Sequence, residues 1–177
     1  MILTRKSEKL SREFKRLYKL SFTRDERLPN RFLSHLLKDN KAELVHYYDE
    51  GKFIGYTYSV SFGEFICLAF FATNPEFRNK GYGKKILEIY SKANENKIIF
   101  LNCEVPENKD EQNIKFRRLS FYKRNGLILV PVVMSYNGID YVTLVNKELS
   151  EKKVNEFNKM LNSTGCACRI DKSILTL

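Results

Sequence analysis

Residues 65–87, FICLAFFATNPEFRNKGYGKKIL, constrain this chain more than any other stretch. Phe65–Thr73 is apolar on both faces, the pattern of a strand buried in the middle of a sheet. A loop over 74–80 follows. The spacing of Tyr82, Ile86, Ile89, Tyr90 and Ala93 then predicts a helix over about 81–94. A second buried strand, 98–105, comes next. A helix crossing between two buried strands predicts that the strands run parallel.

The helix start has a chemistry of its own. It reads Arg78-Asn79-Lys80-Gly81-Tyr82-Gly83-Lys84, with Lys85 behind it. Glycines let the backbone take unusual dihedrals and approach a ligand closely. The unpaired N–H groups of a helix start, together with the helix dipole, form a ready site for a pyrophosphate. Arg78, Lys80, Lys84 and Lys85 add positive charge. The stretch is not a Walker loop, because no Gly-Lys-Ser/Thr follows. It is not a dinucleotide fingerprint, which needs a third glycine.

The rest of the chain reads as a frame for this unit. A short strand over 1–5 leads to a basic amphipathic helix over 8–21, with Leu10, Phe14, Leu17 and Tyr18 on its apolar side. Pro29 suits the first turn of a second helix that carries Phe32, Leu33, Leu36 and Leu37. Strands are predicted over 44–48 and 53–61 around the turn Asp49-Glu50-Gly51-Lys52. After the second buried strand, a helix over about 112–124 ends at Asn125-Gly126. A hairpin over 127–146 turns at Asn137-Gly138, and a last helix over about 150–162 is capped by Ser150. The expectation is a single α/β domain over residues 1–177 with a mixed sheet and a C-terminal helical extension at about 147–177. Its length of 177 residues fits one domain.

Composition narrows the function. Apolar residues at 43% and charged residues at 29% exclude a fibrous or wholly disordered chain. The longest apolar run, 66–72, is far below the roughly 20 residues of a membrane-spanning helix. The opening MILTRKSEKL carries charge where a secretory leader needs an apolar stretch, so a cytoplasmic protein with no membrane partner is expected. Cys67 and Cys103 lie in apolar runs and read as small hydrophobes. Cys166 and Cys168 read as reduced thiols in a C-terminal loop. With one CxC and two histidines, His35 and His46, no metal centre is expected. The net charge of +10 concentrates in residues 1–31 and in Lys115, Arg117, Arg118, Lys123 and Arg124. Such an excess suits a polyanion, a phosphate-rich cofactor or simply a solvated face.

Residues 78–83 resemble the R/Q-x-x-G-x-G/A signature of the GNAT N-acetyltransferase superfamily. The preceding FATNPEFR is similar to the family's lead-in, and Phe121-Tyr122-Lys123-Arg124-Asn125-Gly126-Leu127 resembles its FYxxxGF element. The resemblance covers about residues 1–146. It implies a mixed, mostly antiparallel sheet of six to seven strands with helices on both faces. It also implies acetyl-CoA as co-substrate. Pantetheine would pair with the backbone of Phe71, Ala72 and Thr73, and the pyrophosphate would sit on Arg78, Asn79, Lys80, Gly81, Tyr82, Gly83 and Lys84. The thioester would meet the amine between the splayed fourth and fifth strands, with a backbone N–H near Phe71 as oxyanion donor.

By the same resemblance, Tyr122 is the general acid for the departing thiolate, a task that a phenol with an ordinary pKa of about 10 suits. Its other reading is a core tyrosine at a helix end. The position of the family's usual basic glutamate holds Cys67, so Glu104, in an otherwise apolar strand, ranks first as base and Glu64 second. Glu26 either contacts the acceptor amine or pairs with a neighbouring arginine. Lys115 and Arg118 replace the family's asparagine and alanine. Together with Arg117 they meet the 3′-phosphate end of the coenzyme or are solvated.

The expected activity is transfer of an acetyl group from acetyl-CoA to a primary amine of a small molecule or protein by direct attack. The alternative is a non-catalytic acyl-CoA-binding or regulatory module, suggested by Cys67. Nucleic acid is not expected as a partner, because no helix-turn-helix or RNA-binding aromatic pair is present. The C-terminal helix and last strands offer a surface for a homodimer.

Overall fold

The computed structural model describes residues 1–177. The chain divides into two compact units, Met1–Ile99 and Phe100–Leu177.

The first unit is built on an antiparallel meander of β1 (Leu3–Ser7), β2 (Ala42–Asp49), β3 (Lys52–Phe62) and β4 (Phe65–Thr73), adjacent in that order. Helices α1 (Arg12–Ser21) and α2 (Asn30–Lys38) separate β1 from β2, and α3 (Tyr82–Ala93) follows β4. Period-two alternation divides the strand side chains between two clusters. Leu44, Tyr56, Tyr58, Phe70 and Ala72 pack with Phe14, Leu17 and Tyr18 of α1 and with Leu33 and Leu37 of α2. Val45, Tyr47 and Phe71 face the other way and pack with Ile86 and Ile89 of α3, as does Ile54, the extra residue left where Tyr47 faces Gly55 and Tyr48 faces Phe53. Helices thus cover both faces of the meander, which is why β4 reads as apolar throughout.

Helix α1 starts where Ser11 Oγ accepts the Phe14 N–H at 3.0 Å; the same oxygen lies 2.8 Å from Nε2 of buried His46 in β2. A side-chain cap of this kind is worth about 1 kcal/mol.

β5 (Ile98–Glu104) opens beside the start of β4, where the Ile98 N–H donates to the Glu64 carbonyl at 2.9 Å. In the second unit β5 pairs antiparallel with β7 (Ile139–Val145), β7 with β6 (Ile128–Tyr136), and β6 with β8 (Ala167–Ile170). Helix α4 (Ile114–Arg124) precedes β6, and α5 (Glu151–Ser163) follows β7, capped by Ser150 Oγ. Phe157 of α5 packs edge-on against Phe100, ring centroids 4.8 Å apart.

The fold is therefore a mixed α/β arrangement with mostly antiparallel strands, and it has eight of them rather than six or seven. The additional strand is β8, in the stretch that the sequence suggests as a loop carrying Cys166 and Cys168. Four residues are too few to show a period. Pairing with β6 and the 2.7 Å bridge from Arg169 Nη2 to Asp140 Oδ2 make it a strand. No helix is long and apolar enough to cross a membrane.

Candidate active site

β4 is not a regular strand. Tyr58 faces Phe70 and Ser59 faces Leu68, so Ala69 is an extra residue without a partner in β3. A bulge of this kind bends the strand and re-aims the residues beyond it, here Phe71-Ala72-Thr73. Opposite them, Gly55 approaches so closely that a Cβ there would lie 2.5 Å from the Ala72 carbonyl oxygen.

The loop after Thr73 is tied down at each step. The Asn74 N–H donates to the Ile54 carbonyl at 2.8 Å, and its amide Nδ2 donates to Phe53 O at 3.1 Å. Pro75–Phe77 forms a 3₁₀ turn, after which Arg78 Nε reaches back to Thr73 O at 3.3 Å. Asn79 (φ 60°) and Gly81 (φ 78°) are both left-handed. Alternation of hand along a short stretch is the geometry in which successive amides converge to make an anion-binding concavity. Gly81 is also the N-cap of α3, and no side chain caps that helix. The amides of Tyr82, Gly83 and Lys84 therefore have no partner within the helix.

Aromatic and ionic contacts hold the helix start. Phe77 and Tyr82 meet edge-on at 5.6 Å, with the Lys80 ammonium over Phe77 and the Lys85 ammonium over Tyr82. The Tyr82 hydroxyl donates to Asp49 Oδ2 at 2.8 Å, which lowers the Asp49 pKa and raises that of Tyr82. Arg78, Lys80, Lys84 and Lys85 thus surround an uncapped helix start, a combination suited to a diphosphate.

The candidate acid and bases have different surroundings. Tyr122, in α4, is buried, and burial pushes its phenol well above the ordinary value, so it holds its proton throughout the working pH range. Glu104, at the end of β5, is 3.2 Å from Lys115 Nζ, which also binds Glu107 at 2.5 Å. Lys115 is therefore paired with two carboxylates. Glu64 lies in the turn before β4. At about 3.3 Å per residue it stands about 25 Å along the strand from Phe71–Thr73, so the structure does not bring it to that segment. Glu26 Oε2 accepts the Thr23 N–H at 2.7 Å and closes the α1–α2 loop. Cys67 is half-buried in β4. No group of three or more His, Cys, Asp or Glu gathers as a metal site.

Two features of the site escape a reading of the sequence. The bulge at Ala69 has no local signature, because it is a property of pairing. Asp49 reads only as a turn residue, and its link to Tyr82 spans 33 positions.

The family model described as Acetyltransferase (GNAT) family matches residues 8–126. No curated protein matches the sequence significantly. Among solved structures, a GNAT-family protein from Bacteroides thetaiotaomicron is 26% identical with a TM-score of 0.71, covering 84% of this chain and 87% of its own. A GNAT family acetyltransferase from Elizabethkingia anophelis with acetyl-CoA bound is similar in fold at 14% identity and a TM-score of 0.61, over 83% of this chain and 98% of that one. An aminoglycoside 6′-N-acetyltransferase complexed with coenzyme A gives 12% identity and a TM-score of 0.63, over 84% and 99%. With two thirds of its length matched by the family model, and with the signature turn folded around left-handed Gly81, this chain belongs to the GNAT family of acetyltransferases.

Proposed function

We propose that the protein transfers the acetyl group of acetyl-CoA to a primary amine, acting as one catalytic domain in the cytoplasm. The observation that carries this reading is the uncapped start of α3 behind Asn79 and Gly81, ringed by cations. These amides would hold the coenzyme's diphosphate. The bulged end of β4, Phe71-Ala72-Thr73, would run along pantetheine and offer backbone groups to its amides.

The neutral amine attacks the thioester carbonyl, and a C–N bond forms. The tetrahedral oxyanion collapses, the C–S bond breaks, and the amine nitrogen gives up one proton while the thiolate takes one. The products are the acetamide and free coenzyme A. Tyr122, which keeps its proton, is the assigned donor to the thiolate; burial raises its pKa, which makes it a weaker acid than an exposed phenol. Glu104 is the assigned base, with Lys115 Nζ 3.2 Å from its carboxylate.

The test is calorimetric titration with acetyl-CoA, followed by assay of thiol release with added amines. Micromolar binding and amine-stimulated release are expected. No heat at millimolar coenzyme would overturn the reading, and binding without amine-dependent release would leave a non-catalytic acyl-CoA module.

A further inference from the structure

The corner between α1 and α2 forms an open, solvent-facing cavity of about 490 Å³. Four cations line it, Lys15, Lys19, Arg24 and Arg27, around an apolar floor of Tyr18 and Leu28, and no carboxylate is on its walls. A second cavity of the same unit, about 400 Å³, provides an internal contrast. It sets Glu13 and Glu76 against Arg16 and Lys52, so its charges balance. The α1–α2 cavity has only cations among its charged lining residues, with Asp25 and Glu26 outside the lining. Lys15, Lys19 and Arg24 form no ion pair, and Arg27 spends only Nε, on the Thr23 carbonyl at 3.2 Å, which leaves the paired ends of its fork unengaged.

The floor of the cavity is tied in place. The Tyr18 hydroxyl accepts the Leu28 N–H at 2.8 Å and donates to the Leu28 carbonyl at 3.3 Å. The Glu26 carboxylate is turned to the Thr23 N–H. Like charges brought together on a fixed frame repel one another, and the repulsion is relieved when a counter-charge binds among them. A preformed wall lowers the ordering cost of that binding. The volume falls in the range of small-molecule sites, roughly 300–1,000 Å³.

The position connects the cavity to chemistry. The ring of Tyr18 packs edge-on against Phe70, centroids 4.8 Å apart, and Phe70 directly precedes the Phe71-Ala72-Thr73 segment. The cations of the signature turn are separate from these four and already account for the coenzyme's diphosphate.

We infer that this cavity holds the anionic end of the acceptor: the protein acetylates a small amine that also carries a carboxylate or a phosphate. The inference rests on the acetyltransferase reading for the word acceptor, and on the cavity alone for the charge. Arg27, with its free fork, is the bidentate partner for either oxyanion.

The experiment is calorimetric titration of the full chain with O-phosphoserine, L-glutamate and uncharged-side-chain L-serinamide, each against wild type and a Lys19→Ala/Arg24→Ala variant. Both substituted residues are exposed, so the variant folds. At least one anionic amine is expected to bind about tenfold or more tightly than serinamide, and the double variant to lose about tenfold of that affinity. Tighter phosphoserine assigns the anion as phosphate, and tighter glutamate as carboxylate. Equal binding of all three amines, or anion binding that survives in the double variant, would overturn the inference. So would binding only to a random DNA duplex with steep salt dependence. Acetyl-CoA is titrated in parallel. Its failure to bind would end the acetyltransferase reading while leaving the cavity's preference measurable, so the two failures are distinguishable.

Discussion

The Tyr82 hydroxyl, in the first turn of α3, donates a 2.8 Å hydrogen bond to Asp49 Oδ2 at the tip of the β2–β3 hairpin. Through this contact a turn residue positions the helix start that carries the signature glycines. Asp49→Ala and Tyr82→Phe are each expected to weaken acetyl-CoA binding about threefold, a magnitude fitting one partly buried hydrogen bond. The double variant should be no worse than either single one, because both remove the same bond. Additive losses in calorimetry would show that the two residues act separately.

Gly55 is closely approached by the neighbouring strand. A Cβ there would stand 2.5 Å from the Ala72 carbonyl and 3.2 Å from Ile86 Cδ1. Gly55→Ala must push β4 away from β3, a kind of overpacking that costs about 1–3 kcal/mol. In a chain of this size that is a fall of roughly 3–10 °C in Tm. Because the displaced carbonyl belongs to the proposed pantetheine segment, acetyl-CoA affinity should fall as well. A melt indistinguishable from wild type would refute the close approach.

Tyr122→Phe separates chemistry from packing. The ring is buried and the substitution keeps its volume, so Tm should hold. Loss of the proton donor should lower kcat about 100-fold, in the range of general-acid contributions, with little change in the KM for acetyl-CoA. An unchanged kcat would make Tyr122 a packing residue.

Buried His46 couples α1 to pH. Burial lowers its pKa from the ordinary 6.5, so the folded protein keeps it neutral while the unfolded chain takes up a proton near that value. Its contribution to stability is complete above pH 6.5 and is lost as pH falls below that toward the depressed folded value. Protonation would also change the contact between His46 Nε2 and the Ser11 hydroxyl that caps α1. Melting curves taken from about pH 6.5 down to about pH 5 should show wild type losing more than His46→Gln. Parallel losses would assign the acid sensitivity elsewhere.

The legible features of this chain are local ones. The period of Phe14, Leu17 and Tyr18, the Ser150 cap, the Asn137-Gly138 turn and the run Phe65–Thr73 each carry their structural meaning within a few residues, and so does the glycine-bearing start of α3. Stretches whose state depends on a distant partner are harder to read. β8 is a strand because β6 is beside it, and Glu26 faces a backbone amide where a substrate contact is one of two readings.

The order of elements, the two-sided burial of β4 and the glycine-bearing turn after Arg78 are written in the order of the amino acids, because hydrophobic period and glycine conformational freedom act over short range. The bulge at Ala69, the Asp49–Tyr82 bond, and the gathering of Lys15, Lys19, Arg24 and Arg27 around one cavity without a carboxylate arise only on folding. Those features come from pairing and from charges brought together across folded elements. Neither has a signature in composition, because a net charge records how many cations there are and not where they converge.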